Sequence, residues 1–310
     1  MKMDFYPEGV LYETQENTSY ISKLSGLMEA FRTGTVVEQK PVMSTSAHEL
    51  VFSFGKTVAV MAREECEYVP EGRIIKDIAV ISRVNKPTCF IVTDIDLSGP
   101  EPRISISRRE AQKRFIEYAK EHISPGDVIG AKVTHLEPFG AFVDIGCGVV
   151  SLIPTESISV SRISHPSDRF ERGQNILVAV KGIEAKSGRF FITHKELLGT
   201  WEQNAANFSA GQTVIGVIRS IEAYGVFVEL APNLVGLCEY RPDAVINQLA
   251  AVYIKSIIPE KMKIKLSIVE LFMQKDAPHP IDYYVLDHID HWRYTPKDHT
   301  KKVIEERFGD

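Results

Sequence analysis

Two short runs hold the residues with the most chemistry to offer: Phe139-Gly140-Ala141-Phe142-Val143-Asp144 and Tyr224-Gly225-Val226-Phe227-Val228-Glu229. In each, two aromatic rings sit three positions apart around a glycine. Aromatic faces stack on nucleobases of any sequence at roughly 1–3 kcal/mol per base, so four rings suffice for about micromolar binding of a single strand. Strict strand alternation sends positions 139 and 142 to opposite faces. Gly140 offers a bulge or bend that brings both rings onto one surface. The same pattern also suits a buried aromatic pair beside a barrel corner.

The two runs belong to a repeat. A shift of 85 carries Gly126 onto Gly211 and the first aromatic run onto the second without a gap. At the unit ends, Gly182 to Leu197 aligns with Ser256 to Leu271 at a shift of 74, so the later unit is 11 residues shorter in its middle. A weaker upstream copy places Arg103 to Glu110 on Arg189 to Glu196 at a shift of 86. All three copies close with Ser/Thr-x-x-Glu, at Ser107 and Glu110, Thr193 and Glu196, and Ser267 and Glu270. That is the capping-box pattern, which predicts a strand handing over to a helix. Ala111, Phe115 and Tyr118 then follow at helical spacing, as do Leu197, Trp201 and Phe208, which predicts helices between units.

Within a unit, five short β-patterned runs with glycines at the corners predict a small closed barrel. The fold class is therefore mainly β: three serial five-stranded OB-fold barrels joined by short α-helices. The division expected is a mobile N-terminal segment and helix over 1–33, a degenerate barrel over 34–109, a linker helix over 110–123, and a barrel over 124–198. A second linker helix over 199–208, a third barrel over 209–271 and an extension over 272–310 complete it.

Gly126-Asp127-Val128, Glu137 to Gly146 and Arg189 to Lys195 together resemble the RNA-binding domain first defined in bacterial ribosomal protein S1. Residues 124–198 carry the resemblance strongly and 209–271 clearly. It implies base stacking at Phe139, Phe142, Tyr224 and Phe227, and backbone contacts from Arg189 and Lys263. Lys132 and Arg162, with Arg169, Arg172 and Arg189, are read as a local basic stripe. Where the family commonly has a histidine on the third strand, Pro154 and Glu239 stand instead, so weaker binding is expected of the third unit. In the first unit His48 and Val51 occupy the aromatic positions and Arg63 the histidine position. The resemblance there implies a docking domain for protein. It implies a short, Gram-positive-type relative that holds single-stranded RNA, specifically mRNA, near the small ribosomal subunit. The alternatives are a regulator of RNA decay or transcription, and a scaffold that has lost RNA.

Composition bounds the rest. Net charge is −5, which argues against a general nucleic-acid coat, because nonspecific binding depends on counterion release. Residues 126–199 carry 8 basic and 8 acidic side chains and 209–271 carry 6 and 6, so binding must come from local arrangement. Cys66, Cys89, Cys147 and Cys238 lie far apart, as buried reduced thiols rather than a zinc site. No apolar run is long enough to span a membrane and no signal-peptide core opens the chain, so cytoplasmic residence is expected. No catalytic motif, metal set or cofactor is expected. Ile21, Leu24, Leu27, Met28 and Phe31 predict one amphipathic helix stopped at Gly34. The aromatics Tyr283, Tyr284, Trp292 and Tyr294 are expected to fold back on the third barrel, with a strand near Lys302 to Phe308. His288 and His291 lack a third ligand of suitable spacing.

Overall fold

The computed structural model describes residues 5–69, 74–275, 281–299 and 303–309. Two helices, α1 (Gln15–Ile21) and α2 (Leu24–Thr33), lead into β1 (Val37–Gln39) and β2 (Pro41–Ser44), which are one strand interrupted at Lys40. β3 (Leu50–Phe54), β4 (Thr57–Met61), β5 (Thr88–Asp96) and β6 (Arg103–Ser107) complete the first unit, with α3 (Asp77–Ile81) between β4 and β5. β1 pairs with β5 and β2 with β3, while β4 and β6 run parallel. The two ends of the six-stranded order, β1 and β2, are thus halves of one split strand, and the first unit keeps the barrel architecture without the aromatic motif. Leu50, Phe52, Phe54 and Phe90 fill it.

α4 (Arg108–His122) connects it to the second barrel, β7 (Val128–Glu137), β8 (Gly140–Asp144), β9 (Val150–Pro154), β10 (Asn175–Ile183) and β11 (Phe190–Thr193). The sheet order is β11-β10-β7-β8-β9. It nearly closes where Ser151 Oγ donates to the Phe190 carbonyl at 3.0 Å. Phe115 of α4 stacks on Phe190 with centroids 5.7 Å apart, so the linker helix is part of the second core. α5 (Trp201–Ala205) precedes the third barrel, β12 (Thr213–Glu222), β13 (Gly225–Ala231), β14 (Leu234–Cys238), β15 (Gln248–Ile258) and β16 (Lys263–Lys275), which is closed with β14 and β16 parallel. β17 (His291–Arg293) and β18 (Glu305–Arg307) form a small hairpin in the tail.

Several local expectations are corrected. Ser107 does cap α4 by accepting from the Glu110 N–H at 2.9 Å. Thr193 does not cap α5; its hydroxyl donates to the buried Glu196 carboxylate, and Thr200 with Gln203 forms the capping box. Ser267 and Glu270 lie inside β16, because pairing with β15 continues through them and outcompetes a helix start. The single N-terminal helix is two. Leu27 is buried, whereas Met28 and Phe31 are 44% and 45% exposed. Gly34 adopts φ +66° and ends α2 as expected.

The N-terminal segment from residue 5 to α1 is fastened rather than mobile; residues 1–4 lie outside the described residues. Phe5 packs on Phe115, the Tyr6 carbonyl accepts from the Cys147 N–H at 2.8 Å, and the Glu8 N–H donates to Asp144 at 2.7 Å. Glu8 bridges the first two barrels. Its carboxylate takes Arg108 Nε at 2.7 Å and also pairs with Arg83, while Arg108 donates to the carbonyls of Cys66 and Gly148. Burial alone would raise the Glu8 pKa, but Arg108 and Arg83 overrule it and hold it at about 2. Asp144 is pushed up to about 6 by burial and by the charge of Glu8.

The tail does not rest on the third barrel alone. Tyr283 hydroxyl accepts from the Leu177 N–H of the second barrel, while Trp292 and Tyr294 join the third core. His288 is hydrogen-bonded to Asp127 and Asp290, and its pKa is raised by those hydrogen bonds. Lys302, the expected start of the last strand, lies outside the described residues. All four cysteines are free and buried.

Candidate nucleic-acid interface

Phe139 does not belong to a strand. Glu137 of β7 pairs with Gly140 of β8, so Pro138 and Phe139 are the two residues of the connecting turn. The turn is held by Thr155, whose N–H donates to Phe139 O and whose hydroxyl donates to Pro138 O, each at 3.1 Å. Phe142 stands on β8 behind it. The two rings meet edge to face, centroids 6.0 Å apart at 90°. Tyr224 and Phe227 reproduce that geometry at 6.0 Å and 90°. Phe139 is 57% and Tyr224 70% exposed, so these are surface platforms and the buried-pair alternative is set aside.

The bulge expected at Gly140 is in the partner strand. Register shifts between Val133 and His135 in β7, and between Ile218 and Ser220 in β12. Gly140 serves a close approach: a Cβ there would lie 2.4 Å from the Ile153 carbonyl, and one at Gly225 would lie 2.4 Å from that of Cys238. We expect Gly140→Ala to push β8 from β9 and cost about 1–3 kcal/mol, as overpacking does, visible as a lowered Tm. An unchanged Tm would show that the hairpin yields without strain.

Strand register extends each platform across the barrel. In the third barrel Phe227 lies opposite Leu237, and Leu237 opposite Lys265. In the second, Phe142 lies opposite Leu152, and the internal shift makes Phe191 the counterpart of Lys265. In the first, Val51, Val60 and Ser105 form the same row, with Val60 39% and Val58 49% exposed. Phe191 is 48% exposed and Arg189 covers its ring at 5.5 Å, an aromatic that sequence reasoning missed. His135 was missed as well. It pairs across from Phe142 at 6.4 Å and binds Glu137, so a histidine flanks the second platform from β7. Period-two alternation outward from Phe142 and His135 was the available signal.

The basic stripe is dispersed. Lys132 donates to the Glu8 carbonyl at 3.1 Å, and it and Arg172 line a cavity shared with the first barrel. Arg169 is buried in an ion pair with Glu229 of the third barrel. Arg162 is exposed beside Tyr224 and Phe227, not beside the second barrel's aromatics. Arg189 and Lys263 are exposed at the positions expected of them. Glu239 is matched by Lys255 at 2.9 Å, which offsets the repulsion expected of it. Among the described residues no cluster of acidic, histidine or cysteine side chains could hold a metal. No described helix is long and apolar enough to cross a membrane.

The family described as S1 RNA binding domain matches residues 123–195, the barrel that carries Phe139, Phe142 and Arg189. That barrel is similar to the S1 domains of the bS1 proteins. The chain is 28% identical over 216 residues to a small ribosomal subunit protein bS1 homolog of Bacillus cereus, covering 64% of this chain and 56% of that one. It is 31% identical over 150 residues to the Bacillus subtilis homolog, covering 46% and 38%. The chain thus spans between about a third and somewhat over half the length of such relatives. A solved multidomain protein with nucleic acid binding domains from Streptococcus pneumoniae aligns over 76% of this chain and 74% of its own at 11% identity. Its TM-score of 0.25 is too low to carry an argument.

Proposed function

We propose that the chain binds single-stranded RNA, and mRNA in particular, along the second and third barrels, and that it does so in the cytoplasm at the small ribosomal subunit. The observation that carries this reading is the repeated exposed platform, two rings at the same distance and angle in two barrels, one of which is an S1 domain. Bases stack on Phe139, Phe142, Tyr224 and Phe227, and phosphates meet Arg189, Lys263 and Lys265. With balanced charge in both barrels, affinity rests on stacking, and salt tunes it modestly. The first barrel carries His48 and Val51 at the platform positions, with Val58 and Val60 exposed on the neighbouring strand, which supports a protein-facing role for that surface.

The test is a salt titration of the full chain with an unstructured RNA. Each phosphate contact contributes a slope of about −0.7 in log K against log salt. Arg189→Ala should therefore weaken binding and shallow the slope by about that amount. An unaltered slope removes Arg189 from the phosphate path. Co-sedimentation with small ribosomal subunits separates the translational role from one in RNA decay or transcription, since a decay or transcription factor has no reason to track the subunit.

A further inference from the structure

Between the second and third barrels runs a cleft of about 390 Å³. One wall is the second barrel's Ser161 and Arg162; the other is the third barrel's Tyr224, Phe227 and Met262, with Tyr294 of the tail also lining it. The Ser161 wall is fixed to the third barrel. The Val160 N–H donates to Asn233 Oδ1 at 2.9 Å, Ser161 N–H to Pro232 O at 3.4 Å, and Arg169 pairs with Glu229 nearby. The cleft is therefore shaped before any ligand arrives.

Two side chains of that wall have polar groups without a partner among the described residues. Ser161 is 5% exposed, yet its hydroxyl has no hydrogen-bond partner among the described residues. A buried hydroxyl left unpaired costs about 1–3 kcal/mol, a cost that a hydrogen bond from a ligand in the cleft would remove. Arg162, exposed at the rim, makes no ion pair or hydrogen bond among the described residues. An aromatic corner, a hydroxyl that both donates and accepts, and a rim cation match a nucleotide in its three parts: base face, base edge and phosphate.

We propose that this cleft is a composite nucleobase pocket, in which the second barrel supplies Ser161 and Arg162 to the RNA site of the third. The base lies against Phe227 and Tyr224, Ser161 Oγ bonds its edge, and Arg162 meets the adjoining phosphate. The proposal rests on the reading of the third barrel as RNA-binding and adds that this site is incomplete without its neighbour. A strand leaving the second platform then has a defined entry into the third.

The test uses the full chain carrying Phe139→Ala and Phe142→Ala, so that binding reports the third barrel, with an oligouridylate and an oligoadenylate of about ten nucleotides as probes. Ser161→Ala is expected to lower affinity about threefold to tenfold, the worth of one hydrogen bond, while Tm stays level or rises. Arg162→Ala is expected to lower affinity by about fivefold and to shallow the salt dependence. Both effects should shrink once Tyr224→Ala and Phe227→Ala are added, as for groups holding one nucleotide. Losses that add in full, or no loss on replacing Ser161 and Arg162 while the Tyr224 and Phe227 replacements do weaken binding, overturn the composite pocket alone. If the Tyr224 and Phe227 replacements change nothing, the RNA reading of the third barrel fails, and the pocket with it.

Discussion

Replacing Phe139 and Phe142 together by alanine weakens binding of the full chain to an unstructured RNA by at least about thirtyfold. The figure follows from about 1–3 kcal/mol for each stacked base, hence about 2–6 kcal/mol for two, at 1.4 kcal/mol per decade of Kd. Folding should scarcely change, since Phe139 sits in a surface turn and its ring is 57% exposed. Circular dichroism and Tm on the same preparation separate loss of a platform from loss of the barrel. The double replacement is the right one because the rings form a single right-angled corner, and either ring alone still offers a face. Tyr224 and Phe227 remain, so residual binding should persist and should vanish when they too are replaced. If affinity is unchanged with fold intact, stacking at this corner is not how RNA is held, and the cations at Arg189 and Lys263 become the primary candidates.

The second large effect is on stability. Glu8→Gln should cost about 3–5 kcal/mol, because it leaves the Arg108 guanidinium, 1% exposed, without its carboxylate partner. Glu8 lies on the N-terminal segment, Arg108 opens α4, and the carbonyl of Gly148 that Arg108 also reaches belongs to the second barrel. Loss of this clasp should therefore loosen the first barrel from the second before either core melts, seen as a separate early transition in calorimetry or as proteolysis near α4. The pH dependence carries a definite sign. Glu8 ionises at about 2 in the folded chain against an ordinary 4.5, so the folded state binds fewer protons between those values. Its contribution is complete above about 4.5 and is lost as pH falls toward 2. Asp144 works the other way: raised to about 6, it takes up a proton first in the folded chain and favours folding as pH falls from about 6 toward 4. The gap in stability between the parent and Glu8→Gln should thus close below about pH 4.5. A gap that persists to pH 2 means the carboxylate acts through shape rather than charge.

Of the fold, the barrels and their order were legible because each is a local pattern: alternation gives strands, corner glycines give turns, and a gapless shift of 85 gives two copies of one unit. The closing boxes misled for the reason that a cap is only half of a choice. Ser267 and Glu270 had a ready partner strand in β15, and the sheet took them. Thr193 found Glu196 buried beside it, and the helix began seven residues later at Thr200.

Of the site, the amino-acid sequence by itself determined which rings could stack, since aromatic-Gly-x-Phe recurs with its glycine intact and that glycine answers a contact within one hairpin. The resemblance pointed to Arg189 and Lys263, which lie just before β11 and at the start of β16. Tertiary structure alone decided where the remaining cations went. Lys132 and Arg172 turned to the first barrel, Arg169 was consumed by Glu229, and Arg162 crossed to the third barrel's aromatics. A long charged side chain is placed by whichever partner the packing of domains brings within its reach, and spacing along the chain does not encode that. The platforms were written in one hairpin each; the cleft between two barrels exists only once both have folded and docked.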